Sequence, residues 1–142
     1  MKYRRLGRSG LAVSEIGLGS WLTLDEGDTH LAGELHRTAY ENGINFFDTA
    51  DIYSTGQSEE VTGRLLNEFA RREEVVIATK VFFPMGRGPN QGGLSRKHIL
   101  QEVEHQLSRL RTDYIDLLQI HRNDPATPRA GVSQERCTCV IR

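Results

Sequence analysis

"FFDTADIY" (residues 46–53) begins as a core strand and ends as something else. Two phenylalanines are followed at once by Asp48, Thr49, Asp51 and Tyr53, so the apolar run stops at carboxylates and a phenol. For a lone stretch, a polar turn after a strand explains this, because Asp commonly begins turns. The neighbouring stretches follow the same plan. "VVIATK" (75–80) is almost wholly apolar and closes on Lys80; "YIDLLQIH" (114–121) closes on His121. Upstream, "EIGLGSW" (15–21) supplies a first core strand that ends in Ser20-Trp21. Short, nearly continuous apolar strands are those covered on both faces, as in parallel sheets.

Helical signals fill the gaps between these strands. Leu31, Leu35 and Ala39 recur every four positions over 30–42, the stripe of a helix. Gly43 is placed to end that helix in the left-handed conformation. Ser58, ahead of Glu59 and Glu60, reads as an N-cap with acid in the first turn. The helix it opens has Val61, Leu65, Leu66 and Phe69 on its apolar face. A loop with two Pro and four Gly, "FFPMGRGPNQGGL" (82–94), precedes Ser95, which caps a third helix carrying Ile99, Val103, Leu107 and Leu110. Before all of these, "KYRRLGRSGLAVSEIGLGSW" holds two extended stretches around a turn at Arg8-Ser9-Gly10. The order is a hairpin, then β-α-β-α-β-α-β, with strands about one βαβ unit apart and the last spacing stretched by the Gly/Pro loop. Alternating units of this kind predict an α/β fold with a parallel sheet covered by helices, either doubly wound or a (β/α)8 barrel. The dinucleotide fingerprint of the doubly wound class is missing. "GLGSWL" has Leu22 where a third glycine belongs, and "GRGPNQ" fails at Gln91.

The totals restrict the function classes. A length of 142 residues suits one domain or a piece of one, and a formal net charge of −1 gives no case for nucleic acid or an anionic membrane. No stretch approaches the ~18 apolar residues of a membrane span, and the basic start "MKYRRLGRSG" lacks the apolar segment of a signal peptide. A cytoplasmic protein is expected. Both cysteines, Cys137 and Cys139, lie in the last six residues, so no disulfide framework holds the body. A closed zinc site needs about four ligands and no His lies near this pair, so no metal is expected.

Chemistry gathers at the strand ends. Trp21 as packing, Lys80 as a solvated terminus, Tyr53 as a loop aromatic and His121 as a satisfied histidine are ordinary readings one at a time. Together they lie at the C-terminal edge of one parallel sheet, where active sites of such folds form. A free phenol is a poor acid at neutral pH, and an adjacent ammonium favours its ionised form. Lys80 is the candidate ammonium and Asp48 its orienting partner. His121 is the candidate hydrogen-bond donor to a substrate oxygen, and Tyr53 the proton donor to a carbonyl. Protonating a carbonyl oxygen calls for a hydride at its carbon, which no side chain supplies, so a nicotinamide cofactor is implied.

These residues carry a resemblance. "NFFDTADIY", "VVIATK" and "IDLLQIH" resemble the Asp-Tyr-Lys-His tetrad segments of the aldo-keto reductases. The resemblance implies a (β/α)8 TIM-type barrel whose base is closed by an N-terminal hairpin, and NADPH-dependent reduction of aldehydes and ketones. It implies that Tyr53 is the acid, that Lys80 and Asp48 tune it, and that His121 orients a small carbonyl substrate. Ser20 and Trp21 match the cofactor-contacting pair, and Asp48 also contacts the nicotinamide ribose in the family. "GLSRKHI" (93–99) and "HRNDPATP" (121–128) are similar to the branch that holds the potassium-channel β-subunits and their bacterial reductase relatives. His121 is what the reductases of that branch carry; the channel subunits have Asn there.

The resemblance covers residues 1 to about 128, read as the N-terminal half of a barrel: the hairpin plus about four βα units. Two departures accompany it. The first βα loop, "LTLDEGDT" (22–29), replaces the Gly-Gly-Gln often found in this branch and places Asp25 and Glu26 near the phosphates of a cofactor. Residues 129–142, "RAGVSQERCTCVIR", show no helical stripe and are expected to form a divergent, disordered tail, an alternative or frame-shifted end. A complete barrel has eight strands and ~250 residues. Most adenine, 2′-phosphate and pyrophosphate contacts of the family come from the other half, so weakened NADPH binding is expected. Open sheet edges point to homo-oligomerisation. The alternatives to a reductase are an inactive fragment and a binding module like the channel β-subunits.

Overall fold

The computed structural model describes residues 1–21, 29–127 and a strand at 137–141. Asp25 and Glu26 lie outside the described residues. The chain opens with an antiparallel hairpin, β1 (Tyr3–Arg5) and β2 (Ala12–Ser14), turning through Gly7 and Gly10 at positive φ. A second sheet follows in the order β3 (Leu18–Gly19), β4 (Phe46–Asp48), β5 (Val76–Val81), β6 (Ile115–Ile120) and β7 (Cys137–Ile141). The first four of these strands are parallel. Helices α1 (Thr29–Glu41), α2 (Gln57–Phe69) and α3 (Arg96–Leu110) make the crossovers between them. The parallel sheet with helical crossovers is what the alternating pattern predicts, and its open form is the half-barrel that the resemblance implies.

Burial follows the strand composition. Every residue of β5 is buried except Lys80, as a strand covered on both faces requires. Phe47, Ile77, Leu110 and Ile115 centre the core, each contributing about 1.5–3 kcal/mol by leaving water. The hairpin is tied to the start of β4. The Asn45 side chain accepts from the Ser14 N–H at 2.7 Å and donates to the Ala12 carbonyl at 3.0 Å, and Tyr3 donates to the Gly43 carbonyl at 2.9 Å. Among the described residues no helix is long and apolar enough to cross a membrane.

Helix ends match the sequence in two cases. Gly43 takes φ 82° and Ile44 N–H closes back on the Ala39 carbonyl at 2.9 Å, a Schellman end. Ser95 caps α3 by accepting from His98 N–H at 3.2 Å.

Three expectations are corrected. Leu31 and Leu35 are 50% and 37% exposed, while Ala32, His36 and Ala39 form the buried face of α1. Small Ala32 and Gly33 bring the helix close, and the His36 ring stacks on Phe47 at 5.8 Å, so the face lies about 100° from the leucine stripe. Ser58 does not cap α2; Gly56 occupies that place at φ 90°, and Ser58 is buried as the second residue of the helix. Residues 137–141, expected within a disordered tail, form β7, antiparallel to β6, with Leu117 opposite Cys139 and Gln119 opposite Cys137. Pairing supplies the hydrogen-bond partners that the free edge of β6 otherwise lacks.

Candidate active site

Parallel register places the strand-end residues. Asp48 pairs with Ala78, Ala78 with Leu117, and Lys80 with Gln119. Side chains alternate along strands, so Asp48, Lys80 and Gln119 share one face. The ladder continues past the strand ends: Ser20 N–H donates to the Asp48 carbonyl at 3.0 Å, Thr49 N–H to Ala78 at 2.9 Å and His121 N–H to Val81 at 3.1 Å. Backbone pairing thus brings all four strand ends to one rim.

The Lys80 ammonium organises the site. It donates to Asp48 Oδ1 at 2.5 Å, to the Thr49 carbonyl at 2.8 Å and to the Tyr53 hydroxyl at 3.2 Å. An ammonium has three N–H donors, and all three are used. Lys80 keeps only 14% of its side-chain exposure, which holds these contacts in a partly desolvated setting where they are stronger than in water. The other Asp48 oxygen accepts from Gln119 Nε2 at 2.9 Å. The phenol oxygen of Tyr53 accepts from Lys80, which leaves its own O–H free to donate outward.

Aromatic rings frame the phenol. Trp21 lies nearly parallel to Tyr53, centroids 6.0 Å apart, and remains 63% exposed. His121 meets Tyr53 edge-on at 5.8 Å and Phe83 edge-on at 4.9 Å. Burial pushes the His121 imidazole below its ordinary range, and the Lys80 and Arg122 cations push the same way against Asp48. Its Nδ1 is buried without a hydrogen-bond partner among the described residues. An orphaned acceptor is more tolerable than an orphaned N–H donor, so the neutral ring carries its proton on Nε2.

Beneath the rim lies a second polar layer. Ser20 is buried. Its hydroxyl donates to the Asp48 carbonyl at 3.1 Å and accepts from Ser58 at 2.7 Å, and Ser58 also meets Thr49 Oγ1 at 3.0 Å. The structure therefore brings together Tyr53, Lys80, Asp48, His121 and Trp21, while Ser20 supports Asp48 from below with its hydroxyl engaged. Sequence reasoning missed Gln119 and Ser58 as members of the site. Gln119 was detectable as the polar break in "LLQIH" two residues before His121. Two surface hollows lie among the described residues, neither lined by Tyr53. The larger, about 640 Å³, sits by Asn67, Arg72 and Asp113, away from Tyr53. A smaller one, about 430 Å³, between the hairpin and β3 has Asp48 in its wall.

Comparison with known proteins bears on the family and the fold. A family model described as the aldo/keto reductase family matches residues 15–140, reaching past Pro128 into β7. The chain is 43% identical over 130 residues to a probable voltage-gated potassium channel subunit beta of Arabidopsis thaliana, covering 90% of this chain and 39% of that one. It is 48% identical over 134 residues to a putative voltage-gated potassium channel subunit beta of Schizosaccharomyces pombe, covering 92% and 39%. The crystal structure of a thermostable aldo-keto reductase with the inhibitor epalrestat matches with a TM-score of 0.77 at 36% identity, over 92% of this chain and 46% of that one. The chain thus spans about two fifths of the length of these curated relatives.

Proposed function

The chain belongs to the aldo/keto reductase family, and we propose that its rim carries out reduction of an aldehyde or ketone with NADPH, Tyr53 giving the proton. The observation that carries this reading is the Lys80 ammonium, bonded at once to Asp48 and to the Tyr53 hydroxyl. When bound, NADPH supplies the hydride for the carbonyl carbon. The residues present suit a nicotinamide. Trp21 offers an exposed flat ring beside the phenol, and Asp48 a carboxylate at the rim. Ser20 acts by fixing the Asp48 main chain.

The chain's own groups handle the proton. Tyr53 directs its free O–H at the carbonyl oxygen as negative charge develops there. Lys80 donates to the phenol oxygen and stabilises the phenolate left behind, a charge-assisted hydrogen bond. Asp48, itself held by Gln119, aims the Lys80 ammonium. His121, neutral with its proton on Nε2, donates to the same substrate oxygen and orients it.

A second reading, a binding subunit, is favoured by the names of the curated relatives. The carboxylate, ammonium, phenol and imidazole of this rim argue for the reductase. NADPH titration separates them, with fluorescence of Trp21, the single tryptophan, as the signal. Saturable quenching is expected; no binding at millimolar cofactor would remove independent reduction. Self-association through the sheet edges is the remaining expectation, and size-exclusion chromatography tests it. A defined dimer or larger species supports it, and a monomer alone removes it.

A further inference from the structure

We infer that Gln106 and Arg109, both on α3, are positioning residues for the Tyr53–Lys80 pair: they hold the main chain at Lys80 and the turn after Tyr53 from behind the sheet. The inference rests on the reductase reading for its consequence in turnover but not for its structural test. Gln106 is fully buried; its Nε2 donates to the Lys80 carbonyl at 2.8 Å and reaches Thr79 Oγ1 at 3.4 Å. The same Lys80 carbonyl accepts Asp51 N–H at 3.3 Å, two residues before Tyr53. One oxygen therefore joins the strand that aims the ammonium, the loop that carries the phenol, and α3.

Arg109 acts on the other side of Tyr53. Ser54, Thr55 and Gly56 run through the left-handed region at φ 48°, 53° and 90°, a costly path for the two non-glycine residues. The run needs an external constraint, and Arg109 is packed against its end. A Cβ on Gly56 would lie 2.7 Å from Arg109 Cδ and 3.0 Å from its Nε. The guanidinium is anchored in turn by Glu59 at 2.6 Å and by Glu102. The second oxygen of Glu59 accepts from Thr79, the neighbour of Lys80, at 2.5 Å. Glu59 and Glu102 are almost wholly buried, and a buried ionic group seldom gains stability over a well-packed apolar one. These contacts end on the main chain at Lys80 and on the Tyr53 turn, where geometry matters to the reaction.

Amide hydrogen exchange by NMR on the whole chain, 16.0 kDa, tests this without cofactor. Gln106→Met keeps the volume and removes the donor. The amides of Asp51, Tyr53 and Thr55 should exchange about tenfold faster, a single hydrogen bond's worth. The amide of Ile77, deep in β5, should not change. Arg109→Lys should show the same local pattern at Tyr53 and Thr55. A merely structural role would speed all four amides together, and that result, or no change anywhere, overturns the proposal. Failure of both variants to fold overturns it as well. Turnover is read separately: both variants should lower kcat about tenfold or more at little change in KM. If the parent chain shows no NADPH turnover, the reductase reading falls while the exchange result still decides the positioning role.

Discussion

Replacing Asp51 by Asn should abolish a loss of stability that the protein suffers between acid and mildly alkaline pH. Asp51 is fully buried. Oδ1 accepts the adjacent Ile52 N–H at 2.6 Å, and among the described residues no donor comes within hydrogen-bond geometry of Oδ2. Burial raises its pKa from 3.8 to about 7, the nearby Glu59 and Glu102 carboxylates add to the rise, and backbone donors at Ile52 and Phe82 oppose it. The sign follows from proton counting. Below 3.8 both folded and unfolded chains hold the proton and no cost arises. As pH rises through 3.8 the unfolded chain ionises first, so stability falls until the folded group also ionises near 7, and is level above. At about 1.4 kcal/mol for each tenfold in proton affinity, the gap corresponds to about 4 kcal/mol. Urea unfolding of the parent and Asp51→Asn at pH 4 and pH 8 measures it. The variant should gain most of this amount on the parent between the two pH values. The unpaired Asn amide costs the same at both and drops out of the difference. Parallel stability curves for the two proteins would refute the buried-acid account.

Two further outcomes follow from the packing. Gly63→Ala places a Cβ 2.3 Å from the Leu110 carbonyl, where α2 and α3 meet backbone to backbone, and overpacking of this kind costs about 1–3 kcal/mol; thermal melting should show a lowered Tm, and an unchanged one would mean the helices separate freely. Burial holds His36 below its ordinary 6.5 despite the Ala32 carbonyl, so the unfolded chain binds protons first and stability drops as pH falls below 6.5; His36→Leu should flatten that acid limb, and an unaltered limb would assign it to other groups.

Most of the strand order was legible because it rests on local signals. Apolar runs, Gly43 and Ser95 each act within a few residues of themselves, and the polar ends of four strands meet because parallel register leaves little choice. What was illegible depends on partners distant in sequence. Glu59 looks like an acid favouring a helix N-terminus, yet it is buried against Arg109, 50 residues on. Ser58 looks like a cap, yet its hydroxyl serves Ser20 and Thr49. Leucine spacing in α1 chose the wrong face because small residues, not large ones, let that helix approach its neighbours. β7 has no pattern of its own that separates a paired edge from a free tail.

The proton-donor assignment is tested most directly by carbonyl-dependent NADPH oxidation, compared between the parent chain and Tyr53→Phe. Phe keeps the ring between Trp21 and His121 and removes only the hydroxyl that Lys80 meets at 3.2 Å. General acid catalysis by a placed side chain is worth about 100- to 10,000-fold. The account predicts a parent rate that rises with carbonyl concentration, a variant rate at least about 100-fold lower, and NADPH affinity unchanged between them. A variant that retains the parent's rate would contradict it.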